Sequence, residues 1–233
     1  MEKMVHVLWK REDLSEEDFK AEMLGDITSK FIELGTPKLS INLVDEAVAH
    51  TKHMRITRLD PPMSGTISFW LNMADERGPY EEELARVTSH YAGYLVVESV
   101  PIVNTAHTAP LGERTPGINV VACIEKPERM TLEAWIVHWF GHHKKVAIET
   151  QCTFSYIRNL VVRPLTKEAP SWAGIVEEGF PTEAVTDPMI WYCGGGSEEK
   201  MQRNMARMME SVQAFLDIDR VESHPMSEYR MKE

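Results

Sequence analysis

The chain has 233 residues, of which 43% are hydrophobic and 26% charged, and a net charge of −11. These values are typical of a globular protein with one large domain or two ordinary ones. The negative charge argues against a nucleic acid or an anionic membrane as the main partner. No apolar run approaches the roughly 20 residues that a membrane-spanning helix needs, and the N-terminal apolar stretch is too short for a signal peptide.

Cys123, Cys152 and Cys193 are the three cysteines of the chain. They form no CxxC pair, and an odd number cannot all pair within one chain. We therefore expect a reducing, cytoplasmic location.

The first half of the chain alternates strand-like and helix-like segments. A strand-like run at residues 4–10 is followed by Ser15, a residue suited to cap a helix. Further strands are predicted at 41–44, after Gly65 and around 95–103, with a charged helix at 81–95 between the last two. The predicted order is therefore β-α-β-β-α-β.

The second half repeats this order at an offset of 116 residues, the distance from Ser15 to Thr131. The same offset pairs Phe19 with Trp135 and Gly25 with Gly141. Strands are predicted at 118–127, 158–161, 174–180 and 218–224, and helices after Thr131 and at 198–216. We therefore predict an α+β protein of two ferredoxin-like repeats, residues 1–104 and 118–233, joined by a linker at 105–117.

The segment "WIVHWFGHHKK", residues 135–145, carries three histidines on one predicted helix. At about 100° per residue, His143 falls in the middle of an apolar stripe, while His138 and His142 lie on its flank. A ring in that place is desolvated, which is the environment of a general base. Ile27 occupies the matching position of the first repeat, so the fold itself requires no histidine there. The alternative is a core histidine bonded to a backbone carbonyl.

His138 and His142 have the i,i+4 spacing that can share a metal ion. Trp139 stands where an HExxH motif has its glutamate, and no third ligand is evident. We therefore expect no metal and no cofactor. A haem or metal protein that uses this histidine cluster is an alternative hypothesis.

The stretch from "VVACIEKPERMTLEAWIVHWFGHHKKV" to "YIRNLVV" resembles EthD-like domains of the dimeric α+β barrel superfamily. Trp139, His143 and Tyr156 match the family's helix and following strand. The run from Trp172 resembles its third strand, although Ala173 stands where aspartate is usual. The resemblance implies two fused repeats that close a barrel, with a cavity between sheet and helices. It covers the second half well and the first half only by topology, and reactions in the superfamily are diverse.

Six residues besides His143 make up the candidate site. Tyr156 and Arg158 alternate onto one strand face and can hold a carboxylate or phenolate, unless Arg158 is a surface residue. Of the adjacent Glu177 and Glu178, either one points inward or both lie near a sheet edge. We assign Glu178 as an acid or a partner of His143, with a solvated strand end as the alternative. Trp139, Phe140 and Trp70 are candidate aromatic walls, with core packing as the alternative.

We predict a cofactor-independent lyase or cyclase that acts on a small aromatic or polyketide-like substrate. His143 would transfer the proton, assisted by Tyr156 or Glu178, while Trp139, Phe140, Arg158 and Trp70 bind the substrate. Decarboxylation, dehydration, retro-aldol cleavage and ring closure all fit these residues. A homodimer is expected, and a non-catalytic binding or structural protein is a further alternative.

Overall fold

A computed structural model describes all 233 residues of the chain. The first half forms four strands and three helices. In chain order these are β1 (Glu2–Lys10), α1 (Glu16–Glu22), α2 (Thr28–Glu33), β2 (Leu39–Leu43), β3 (Gly65–Leu71), α3 (Gly78–Val87) and β4 (Thr88–Ile102). A 3-10 segment, Glu46–Met54, lies between β2 and β3.

The second half has the same order of strands and main helices, with one short helix added. Its elements are β5 (Ile118–Ile124), α4 (Leu132–Val137), α5 (Lys144–Thr150), β6 (Ser155–Pro164), β7 (Gly174–Phe180), α6 (Pro188–Trp191), α7 (Glu198–Phe215) and β8 (Glu222–Lys232). Ser15 and Thr131 cap the first helix of each half, accepting the backbone N–H of Asp18 and Ala134. The predicted α+β arrangement of two βαββαβ units is confirmed.

The eight strands close into one antiparallel barrel in the order β1-β3-β2-β8-β5-β7-β6-β4. The two halves meet at two seams, where β2 pairs with β8 and β4 pairs with β6. Neither half leaves a free sheet edge, because each edge strand is paired with a strand of the other half. The chain therefore has the architecture of a dimeric α+β barrel within one polypeptide.

Both faces of the sheet are covered, so alternate residues on each strand serve two different environments. On β1, Val5 and Val7 point into the barrel, whereas Met4 and Leu8 pack under the first-half helices. In the second half, a separate cluster around Trp135 and the other helix-facing side chains lies between sheet and helices. The barrel interior and the two helix-covered layers are therefore distinct places for ligands.

A π-helical turn interrupts the first helix of each half, at Met23–Ile27 and at His138–His143. Each contains a glycine, Gly25 or Gly141, and each ends at a buried residue, Ile27 or His143. The sequence predicted uninterrupted helices, because a single wide turn leaves the apolar stripe on the same side. π turns of this kind are frequent at functional sites.

Two predicted boundaries are wrong. The helix predicted at 81–95 ends at Val87, and residues 88–95 belong to β4, because Ala92 and Tyr94 pair with β1 and fill the barrel. The Thr and Tyr residues of this segment suit a strand, and pairing with β1 uses them as one. The last strand does not cover 218–224 but begins at Glu222 and runs to Lys232, after a 3-10 turn at Ile218–Arg220.

Cys152 and Cys193 form a disulfide, which the sequence expectation of reduced cysteines did not include. It joins the loop after α5 to the loop after α6, two segments that are 41 residues apart. Cys123 is the free cysteine and is buried in the barrel. In no part of the chain is a helix both long and apolar enough to span a membrane.

Candidate functional site

The candidate site lies on the helix-facing side of β6 and β7. Tyr156 and Glu178 are direct partners in the antiparallel register, and Arg158 follows Tyr156 on the same face, opposite Val176. Directly opposed side chains lie about 5 Å apart at Cβ, and diagonal neighbours about 7–8 Å apart at Cα. The sheet therefore brings together three predicted site residues with different chemistry.

Glu178 combines burial with an incomplete set of hydrogen bonds. The residue as a whole is partly exposed, but its Oε1 is sealed from solvent and has no hydrogen-bond partner. Burial raises the pKa of the Glu178 carboxyl from 4.5 to about 7. This carboxyl therefore changes its charge close to neutral pH, which suits a group that accepts and returns protons.

Arg158 is buried on the same face, so the surface alternative for this residue is wrong. Its Nε donates to Ser99 Oγ at 3.2 Å, and the guanidinium lies 4.0 Å from the centre of the Phe140 ring. The Nη1 atom is buried without a partner, and burial lowers the pKa of the guanidinium. Arg158 and Glu178 form no ion pair with each other, although both have an unused hydrogen-bonding atom.

Tyr156 lies between these two charged residues and is almost fully buried. Burial, and then the negative charge of Glu178, raise the pKa of its phenol. The phenol therefore stays protonated at neutral pH and can donate a hydrogen bond.

His143 is buried, as the apolar stripe predicted, but it packs between helices rather than against the carboxylate. Its Nδ1 lies 3.0 Å from Ser211 Oγ on α7, and its ring contacts Phe215 at a centroid distance of 4.5 Å. Burial, with smaller contributions from His138, His142 and Arg158, lowers the pKa of His143 to about 3. Its ring is therefore neutral at physiological pH and a weaker base than Glu178.

Trp139 lies over the start of β7. A Cβ atom at Gly174 would be 2.5 Å from the Trp139 ring, so only glycine leaves room for the indole. Phe140 packs edge-on against Trp139 and carries the Arg158 guanidinium on its face. These two aromatic residues do form a wall beside Tyr156.

His138 and His142 lie together, with ring centroids 5.0 Å apart. No third His, Cys, Asp or Glu is arranged with them to complete a metal site. His138 also stacks on Phe215, and burial lowers its pKa. The pair therefore has the spacing that the metal alternative requires, but no third ligand beside it.

Trp70 is the one predicted site residue that lies elsewhere. It belongs to β3, opposite Lys3, whose ammonium lies 4.9 Å from the Trp70 ring centre. A cavity of about 420 Å³ adjoins these two residues and Glu98. Five of the molecule's cavities lie elsewhere and are not lined by Tyr156, Arg158 or Glu178.

Sequence reasoning missed two contributors to this region. Ser211, the hydrogen-bond partner of His143, is one polar residue on the buried side of α7, and only the structure shows which histidine it faces. Ser99 on β4 supports Arg158 across the seam between the halves. Glu177, adjacent to Glu178, points the other way, into the barrel, where it accepts from Asn42 and Asn159.

No protein-family model matches the chain, and a search of curated proteins finds no significant match. The EthD-like resemblance therefore stays a prediction. Among solved structures, an anthrone oxidase-like protein is similar over 100% of this chain and 94% of its own, with 9% identity and a TM-score of 0.53. This likeness shows the fold, that of a dimeric α+β barrel.

Two other solved structures are more distant. A candidate monooxygenase from Lactobacillus acidophilus is 11% identical, with 99% of this chain and 94% of that chain covered and a TM-score of 0.47. A mutant chlorite dismutase from Candidatus Nitrospira defluvii is 9% identical, with 100% and 91% covered and a TM-score of 0.47.

Proposed function

We propose that the chain is a cofactor-independent enzyme that moves a proton on a small aromatic or polyketide-like substrate, in a lyase or cyclase type of reaction. The observation that carries this proposal is that Arg158 and Glu178, on one sheet face, each have a buried atom without a hydrogen-bond partner and do not pair with each other. Buried charged groups are ordinarily paired. A substrate that contacts both residues would satisfy them together.

Arg158 and Glu178 would each bind a different group of the substrate. The guanidinium fits a carboxylate, enolate or phenolate oxygen. The carboxylate of Glu178 fits an acidic C–H or O–H a few ångströms from that oxygen. The walls formed by Trp139, Phe140 and Tyr156 favour an aromatic or otherwise flat molecule.

The chemistry follows from these positions. Glu178 in its carboxylate form takes a proton from a carbon next to a carbonyl, and the electron pair moves onto the carbonyl oxygen. Arg158 and the protonated phenol of Tyr156 stabilise that oxygen. Ring closure onto a second carbonyl, or loss of a β-hydroxyl as water, can follow from this enolate, and Glu178 then returns the proton to the oxygen that is released or formed. In retro-aldol cleavage Glu178 instead takes the β-hydroxyl proton, the C–C bond breaks, and the enolate held by Arg158 takes that proton back on carbon. In decarboxylation the C–C bond breaks with loss of CO2, and Glu178 in its acid form protonates the enolate. His143 contributes a neutral hydrogen-bonding ring on the helix side of the site. A substrate reaches the site by displacing side chains that pack between the sheet and the helices.

A structural role for His143 is the competing account, and the hydrogen bond to Ser211 favours it. Under that account the second half binds no substrate, and replacing His143 lowers the stability of the protein without affecting any activity.

The haem or metal alternative would give a coloured protein, or one that retains one metal ion per chain. The cytoplasmic location also remains a proposal.

Proton abstraction is tested by hydrogen–deuterium exchange in D₂O, followed by proton NMR. The probes are small aromatic β-keto acids and acetyl phenols, which carry an acidic C–H beside an oxygen for Arg158. The wild-type protein should catalyse exchange, and Glu178→Gln should lower the rate by about 100-fold or more. Glu183→Gln, which changes an exposed glutamate nearby in the chain, should leave the rate unchanged. Equal rates for Glu178→Gln and wild type would refute the role of Glu178.

A homodimer is proposed on separate grounds. The β4–β6 seam exposes Val97 and Val162, an apolar surface between the two helix layers. Sedimentation analysis tests it: Val97→Glu should convert a dimer to a monomer, whereas a wild-type monomer would contradict the proposal.

A further inference from the structure

The barrel interior contains a buried histidine–carboxylate pair that the proposed function does not use. His224 and Glu222 both point inward from β8, with His224 opposite Val121 and Glu222 opposite Cys123 in the register with β5. His224 Nε2 lies 2.5 Å from Glu222 Oε1. The other carboxyl oxygen accepts the backbone N–H groups of Arg58 and Leu59, at 2.6 and 3.3 Å.

These contacts fix the tautomer of the histidine. Glu222 is an acceptor for two backbone N–H groups, so the proton between it and the imidazole belongs to Nε2 of His224. With the single ring proton on Nε2, Nδ1 is a bare acceptor. This atom is fully buried and has no hydrogen-bond partner. A buried acceptor without a donor is uncommon, and a buried water molecule or a small ligand would supply the missing donor.

The surroundings define the chemistry of such a donor. The twelve buried side chains of the adjoining interior cluster carry no charge, and burial raises the pKa of the Cys123 thiol so that it stays neutral. The walls are aromatic and thioether groups, among them Trp9, Met63, Tyr94, Trp172 and Met226. Lys3 also points into the barrel, but its ammonium is already paired with Glu98 and Glu177. With Glu222 close by and no free cation beside His224, an anion is disfavoured. The fitting ligand is a small neutral aromatic molecule with one hydroxyl.

The route to this place runs beside the segment 55–63, which we name the strap. The strap is joined to β8 by two backbone hydrogen bonds of 2.9 Å between Ile56 and Ser223. Cavities of about 350 and 540 Å³ lie on either side of it, and both are lined by Trp9, Asp60 and Pro61. Trp9 belongs also to the interior cluster, so an outward movement of the strap connects these cavities with the interior.

We propose that the barrel interior beneath the strap is a second binding site, which takes a small neutral phenol whose hydroxyl donates to His224 Nδ1. This site lies on the opposite face of the sheet from Glu178 and does not rest on the function proposed above. The phenol ring would pack among Trp9, Met63 and Tyr94, and its hydroxyl would satisfy the unpaired nitrogen.

The chain provides a matched internal control in His6. That histidine is also fully buried, its Nε2 lies 2.9 Å from Glu81 Oε1, and its Nδ1 also has no partner. It lies in the first helix–sheet layer, where its ring fills the space over Gly93 and contacts Phe69 and Tyr91. His6 lies on the opposite face of the sheet from the barrel interior, so a phenol in the barrel should leave His6 unchanged.

In the experiment the full chain carries ¹⁵N-labelled histidine rings. Phenol and toluene are added in separate titrations, and the ¹⁵N chemical shifts of the ring nitrogens are followed by NMR. Phenol should saturate and shift the Nδ1 resonance of His224 upfield, the direction caused by an accepted hydrogen bond, without shifting that of His6. Toluene, which lacks the hydroxyl, should bind at least about tenfold more weakly and leave Nδ1 unshifted. His224→Leu should remove the preference for phenol, and His6→Leu should retain it. The wild-type titration decides the question even if a variant does not fold.

Four results would overturn the proposal. The first is that no saturable shift of the His224 Nδ1 resonance occurs up to the solubility limit of phenol. The second is that the His6 resonance shifts in its place, and the third is that phenol and toluene bind equally. A shift that Glu178→Gln abolishes would assign the phenol to the helix–sheet site, and would contradict a separate interior site.

Discussion

Replacing Glu178 by glutamine should make the protein more stable and less active at the same time. The Glu178 carboxyl has a pKa of about 7 in the folded protein, against 4.5 for an ordinary glutamate. Above pH 7 the folded state therefore holds a desolvated charge that the unfolded state hydrates freely. The Glu178→Gln substitution would keep the size of the side chain and remove that charge.

The magnitude follows from the two pKa values. Each pH unit between them corresponds to about 1.4 kcal/mol, so the charged carboxylate lowers the free energy of unfolding by about 3 kcal/mol above pH 7. Between pH 4.5 and 7 the folded state binds more protons than the unfolded state, so this contribution to stability falls as the pH rises. Below pH 4.5 both states hold the proton and the cost disappears.

The contribution of His143 to stability changes with pH in the opposite direction. Its pKa is about 3 in the folded state against 6.5 ordinarily, so the unfolded state binds more protons between these values. Wild-type stability therefore gains from His143 as the pH rises from 3 to 6.5. The Glu178→Gln variant shares this contribution, which cancels when the two proteins are compared.

Urea unfolding of wild type and Glu178→Gln at pH 4.5, 6, 7 and 8 measures the difference between their free energies of unfolding directly. The buried amide also loses hydration, so we expect the variant to be more stable at pH 8 by about 1–3 kcal/mol. The difference should decrease by about 3 kcal/mol toward pH 4.5. A difference that does not depend on pH would refute the assignment of a raised pKa to Glu178.

Three further variants test the packing around the site. Ser211→Ala leaves His143 Nδ1 buried without a partner and should lower the free energy of unfolding by about 1–3 kcal/mol, measured by urea unfolding; no loss would contradict the hydrogen bond. Gly174→Ala pushes a methyl group into Trp139 and should cost about 1–3 kcal/mol with a changed tryptophan fluorescence, and a neutral result would contradict the close approach. Cys152→Ser opens a loop of 41 residues and should cost about 4 kcal/mol in non-reducing buffer, with no difference from wild type once dithiothreitol is added.

The order of elements could be predicted from sequence because each half repeats the same local signals. Ser15 and Thr131 mark the helix starts, and short apolar runs mark the strands. The end of the helix at Val87 was missed, although Thr88, Tyr91 and Tyr94 favour a strand over a helix. The boundary itself is set by the pairing of this segment with β1. Local propensity is a weak guide where a long-range partner decides.

Part of the candidate site could also be predicted from local sequence patterns. Alternation along β6 places Tyr156 and Arg158 on one face, and the buried stripe identifies His143. The choice between Glu177 and Glu178 and the direction of the His143 nitrogen depend on register and on α7, which sequence patterns do not encode. The candidate base therefore changes from His143, as expected from sequence, to Glu178.

The most direct test of that assignment is a pH titration of the side-chain carboxyl carbons by ¹³C NMR, with the Glu178 signal identified by its loss in Glu178→Gln. The account predicts that this carboxyl titrates near pH 7, well above the exposed Glu183. A midpoint near 4.5 would show a hydrated or paired carboxylate, and would contradict the proton-transfer site.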